Sequence, residues 1–148
     1  MLITKVVIII NSIKYTKHPA CVKMLAAQLS KLDIECATHD MASVTSKTPL
    51  HLHYEDIVST NADLYIILDG AGFELRTEND GWSLNQVYGV KAIVYTSAWN
   101  DKELCKPYAA GDDREQLADF YYDLRSVEMS EDVANDFLNK LFEEVGVR

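Results

Sequence analysis

The chain has 148 residues and carries 14 Lys and Arg against 23 Asp and Glu, a formal charge of −9, with 48% hydrophobic residues. Length predicts one domain that buries its own core without disulfides or metals. The acidic balance excludes general binding to nucleic acid polymers or anionic membrane surfaces, since both would repel it.

Lys5–Ile10 (KVVIII) is a continuous β-branched run, the pattern of a strand covered on both faces. No apolar run approaches the ~20 residues of a membrane span, and this early Ile/Val-rich stretch does not read as a signal peptide. A polar stretch, Asn11–His18, leads to Pro19 at a first helical position. Within Pro19–Lys31, Val22, Leu25, Ala26 and Leu29 recur at helical spacing and predict an amphipathic helix. Ile34–Thr38 reads as a short second strand and Asp40–Pro49 as a Ser/Thr-rich loop. His51–Ser59 reads as a helix with Leu52 and Ile57 on its buried side.

Ala62–Leu68 (ADLYIIL) is the second strong strand and ends on the turn signal Asp69-Gly70. Trp82–Tyr88 reads as a short helix stopped by Gly89, and Lys91–Thr96 as a third clear strand. A helical turn is expected over Asp112–Leu117 and a last strand over Phe120–Leu124. Glu131–Val145 carries the strongest helical pattern. Val133, Phe137, Leu138, Leu141, Phe142 and Val145 form its apolar face, with Ser130 as N-cap and Gly146 after its end.

Strands alternating with helices predict one doubly wound α/β domain over residues 1–148, Rossmann- or flavodoxin-like. Its sheet is mostly parallel, of four or five strands, with helices on both faces. In such sheets ligands sit beyond the carboxyl ends of the strands, here the segments Asn11–His18, Asp69–Asn79 and Ser97–Asp101.

Charge is unevenly spread. Residues 1–32 hold five lysines and no acid, whereas residues 112–148 hold eleven acids against four basic groups. The acidic half reads as a solvated helix. The first loop, bearing Lys14, Lys17 and His18 ahead of a helix N-terminus, is suited either to a phosphate or carboxylate or to plain solvation. An acidic protein of this kind can still hold one small anion.

No motif names a reaction unaided: neither a Walker A sequence nor a GxGxxG run follows the first strand. His51 and His53 are spaced by two, which does not put them on one helix face, and no metal or cofactor is expected. The three cysteines, Cys21, Cys36 and Cys105, are odd in number and lack CxxC spacing, so they read as reduced thiols of a cytoplasmic protein. Asp69, Glu74, Asp80 and Asp56 gather carboxylates toward one sheet edge. They suit a nucleophile and acid/base pair for glycosyl chemistry, or, for Asp69 and Asp80, the shaping of turns. Tyr15, Phe73, Trp82, Tyr88 and Trp99 lie in or beside the same loops and offer faces for a flat heterocycle or for core packing.

The order of pieces resembles the nucleoside 2-deoxyribosyltransferase superfamily, including its nucleotide N-glycosidase members. Glu55-Asp56-Ile57 matches that family's helix motif, Ala62-Asp63 with Asp69 its following strand, and Lys91-Ala92-Ile93 the start of its next strand. The resemblance covers roughly residues 5–101.

It implies N-glycosidic bond cleavage or transfer on a nucleoside or its monophosphate, in a homodimer or larger ring, with Asp56 as the assisting acid. Counting from Gly81 puts Asn85 at the family's nucleophile position, where an amide cannot form a glycosyl–carboxylate intermediate. A register through Gly72-Phe73-Glu74-Leu75 restores a carboxylate at Glu74. The expected catalytic set is Glu74, Asp56 and Asp69. The expected ligand contacts are Asn11, Lys14, Tyr15, Lys17, His18, Asp80, Trp82, Asn85 and Trp99. A nucleotide-binding module without turnover, a protein-interaction module using residues 112–148 and a flavodoxin-like carrier stand as alternatives on the same fold class.

Overall fold

A computed structural model describes residues 2–13, 15–43, 57, 59–69, 89–96, 118–125 and 127–146. Five strands form one parallel sheet: β1 (Lys5–Ile10), β2 (Glu35–Asp40), β3 (Leu64–Leu68), β4 (Val90–Tyr95) and β5 (Phe120–Asp123), in the order β2-β1-β3-β4-β5. Two described helices, α1 (His18–Lys31) and α2 (Glu131–Val145), complete the expected mostly parallel α/β architecture.

The β-branched runs become the central strands because both of their faces are covered. Val6, Ile8 and Ile10 of β1, with Leu64, Ile66 and Leu68 of β3, pack under Leu25 and Leu29 of α1 and Phe137, Leu138 and Leu141 of α2. The alternate residues Val7, Ile9, Tyr65, Ile67 and Ile93 form a second core on the other face, with Met41, Ile57 and Ala118. β2 is an edge strand, with Glu35 and Thr38 exposed and its other residues half-buried.

Strand ends differ from the sequence expectation by local hydrogen bonding. Ile34 N–H turns back to the Leu29 carbonyl, so β2 starts at Glu35, and pairing with Ile9 and Ile10 carries it on through His39 and Asp40. β3 starts at Leu64 because Ala62 N–H is taken by the Tyr65 hydroxyl (2.9 Å). β4 ends at Tyr95 because Thr96 N–H is taken by a side chain, that of Asp69.

Helix α2 keeps its expected ends, and Phe137, Leu138, Leu141 and Phe142 of its expected apolar face are buried; in the first turn Ala134 takes the buried place, and Val133 and Val145 are half-buried. Ser130 Oγ accepts from Val133 N–H (3.2 Å), Glu131 and Asp132 occupy the positive N-terminal turn, and Gly146 closes the helix in the left-handed region at φ 69°. Gly89 is needed for a close approach: a Cβ there would lie 2.4 Å from the Ala62 carbonyl oxygen. The helices expected over 51–59 and 82–88, the loop over 40–49 and the turn over 112–117 fall wholly or largely outside the described residues. Among the described residues no helix is long and apolar enough to cross a membrane.

Candidate functional site at the carboxyl edge of the sheet

Strand order places a topological switch between β1 and β3. The chain leaves β1 toward β2 on one side and leaves β3 toward β4 on the other. At such a point the connections diverge and open a crevice beyond the strand ends. Asn11 follows β1 and Asp69 follows β3, so both expected residues lie at this switch point.

Asp69 is nearly buried and sits in the left-handed region at φ 48°, a conformation that Asp tolerates better than most residues. Its own N–H bonds the Val94 carbonyl (2.7 Å). Its Oδ1 accepts from Thr96 N–H (2.9 Å), and its Oδ2 meets the Thr96 hydroxyl (2.5 Å) and His18 Nε2 (2.7 Å). The carboxylate therefore ties together the ends of β3 and β4 and the start of α1.

His18 is wholly buried, and both of its ring nitrogens are engaged. Nδ1 accepts from Asn11 N–H (3.0 Å), which leaves no room for a proton on that nitrogen. The ring proton consequently lies on Nε2 and points at Asp69. Tyr15 stacks on the imidazole with ring centroids 4.7 Å apart and planes inclined by 26°. The loop is closed by Tyr15 N–H to the Asn11 carbonyl and by His18 N–H to the Tyr15 carbonyl.

A second carboxylate braces the same loop from β2. Asp40 Oδ1 accepts from Ser12 N–H (3.1 Å) and Ala42 N–H (2.9 Å), and Oδ2 from the Ser12 hydroxyl (2.5 Å). Burial pushes the Asp40 carboxyl up, but the Ser12 and Ala42 donors outweigh it and hold it below its ordinary value.

The structure thus brings Asn11, Tyr15, His18 and Asp69 into one network, with Lys17 exposed beside it. Lys14, Asp56, Glu74, Asp80, Trp82, Asn85 and Trp99 lie outside the described residues, as do His51, His53 and Cys105. Thr96, Ser12 and Asp40 were not expected in the network. The signal for Thr96 is a hydroxyl just past the carboxyl end of β4, beside the strand that ends before Asp69.

Cys21 is buried and Cys36 half-buried, and burial pushes both thiols up, as for packing residues. Among the described residues no group of three or more His, Cys, Asp or Glu is placed to hold a metal ion. Asp63, part of the family-like Ala-Asp pair, lies at the opposite edge. Its Oδ2 accepts from Thr4 N–H, Lys5 N–H and the Thr4 hydroxyl, so it fastens the start of β1 to the start of β3.

No protein-family model matches the chain, and comparison with curated proteins gives no match either.

Proposed function

We propose that the chain binds a nucleoside or its monophosphate in the crevice between the carboxyl ends of β1 and β3 and acts on its N-glycosidic bond. The observation that carries the reading is the switch point itself, flanked by Asn11 and Asp69 and backed by the His18–Asp69–Thr96 network. Preorganised polar groups at a switch point are what a small polar ligand requires.

In this reading the Glu74 carboxylate attacks the anomeric carbon. The C–N bond breaks and the base leaves with a proton from Asp56; water or an acceptor base then releases the sugar from the ester. Asp69 already accepts from His18 and from the backbone and hydroxyl of Thr96, so its part is to position the first loop and the β4 end, leaving the proton to Asp56. The working form is a homodimer or larger ring, an expectation taken from the family resemblance.

A second reading, binding without turnover, draws on Asn85 at the position counted from Gly81. Incubation with deoxynucleosides and their 5′-monophosphates separates the two. Release of free base that is lost in Glu74→Gln supports catalysis, and thermal stabilisation without free base supports binding alone. Neither release nor stabilisation with any of these compounds overturns both.

A further inference from the structure

On the α1 side of the same edge, a cavity of about 450 Å³ opens between the first turn of α1 and the chain that leaves β5. Its size is that of a small-molecule site, commonly about 300–1,000 Å³. Among the described residues its apolar wall is made by Cys21, Leu124, Val127 and Met129, and Val127 keeps 42% of its surface exposed. Burial pushes the Cys21 thiol up, so it stays neutral and counts with the apolar wall.

Among the described residues three charged side chains line this cavity: Lys17, Arg125 and Glu128. Arg125 is committed to Asp123, with Nε and Nη2 donating to the two carboxylate oxygens at 2.9 and 2.6 Å. Lys17 and Glu128 have no ion-pair partner among the described residues. Among the described residues the cavity therefore presents one uncommitted cation, one uncommitted anion and an apolar wall. A simple anion would satisfy Lys17 and be repelled by Glu128, and a simple cation would do the reverse. A ligand carrying both charges on an apolar body answers all three features.

We propose that this cavity binds a small zwitterion with an apolar body, of the chemical class of an apolar α-amino acid. The carboxylate of the ligand pairs with Lys17, its ammonium with Glu128, and its side chain lies on Leu124, Val127 and Met129. The inference does not rest on the nucleoside reading, which places its ligand at the β1/β3 crevice.

The test is titration of the full chain with L-phenylalanine, N-acetyl-L-phenylalanine and phenethylamine, read by the methyl resonance of Met129. The expected result is saturable binding of phenylalanine, tighter than either singly charged analogue by about tenfold or more. Lys17→Ala is expected to reduce phenylalanine to the level of phenethylamine, and Glu128→Gln to the level of N-acetylphenylalanine. Both positions are exposed, so the fold is retained. Ala20→Trp, from an exposed lining residue, fills the cavity and is expected to abolish binding.

Absence of saturable binding overturns the proposal, and so does equal affinity for all three compounds or indifference to Lys17→Ala and Glu128→Gln. Nucleoside monophosphate binding that survives Glu128→Gln and Ala20→Trp leaves the crevice reading standing whichever way this titration falls.

Discussion

His18 and Asp69, 51 residues apart in the chain, meet at 2.7 Å inside the protein, and Asn11 N–H on the far side of the imidazole decides which nitrogen carries the proton. This pair holds the first loop against the end of β3. It fixes the buried imidazole of a segment whose neighbouring Lys17 stays exposed.

The tautomer is directly observable. Long-range ¹H–¹⁵N correlation is expected to show His18 protonated on Nε2 and bare on Nδ1 at neutral pH. A proton on Nδ1 would contradict the hydrogen bond from Asn11. Asp69→Asn sets an amide N–H₂ or a single carbonyl against the donors of His18 and Thr96. It is expected to cost about 3 kcal/mol of stability, measured by urea unfolding, as for a broken buried pair.

Asp63 makes stability depend on pH at the other end of the sheet. The Thr4 backbone N–H, chiefly, with Lys5 N–H and the Thr4 hydroxyl, holds its carboxyl below the ordinary value against a smaller opposing effect of burial. Because folding lowers this pKa, the ionised form stabilises the fold above the unfolded value. That contribution is lost as pH falls through the folded value. Asp63→Asn is expected to lose about 1–2 kcal/mol at pH 7. The gap to the unmodified chain should close below about pH 4; a gap independent of pH would show that the charge plays no part.

Two glycines separate close approach from backbone strain. Gly89→Ala drives a Cβ into the Ala62 carbonyl between β3 and β4, and about 2–3 kcal/mol of destabilisation is expected. Gly146→Ala meets nothing within 4 Å and is penalised only by its φ of 69°, so about 1 kcal/mol is expected. Thermal melts that rank the two in the opposite order would contradict this division.

Where the sequence carries local physics, structure could be read from it. The runs KVVIII and LYIIL are strands because burial on both faces favours unbroken apolar residues, and α2 declares its ends through Ser130 and Gly146. The site was legible only in part. Asn11 and Asp69 could be placed at strand ends by position, and the structure puts them on either side of the switch point. The partners of Asp69 could not: His18 and Thr96 lie 51 and 27 residues away, and no spacing rule links them. Burial of His18 also had no clear sequence signal, because its neighbours Lys17 and Pro19 are exposed.

The central claim is that the β1/β3 crevice receives a nucleoside or nucleotide, and an amide-resolved titration tests it most directly. ¹⁵N-labelled chain is titrated with deoxynucleoside 5′-monophosphates while the amides of Asn11, Asp69 and Thr96 and the His18 ring are followed. The account predicts saturable shifts centred on these groups with at least one of the nucleotides. Spectra unchanged through millimolar nucleotide, or shifts confined to residues away from the carboxyl edge, would contradict it.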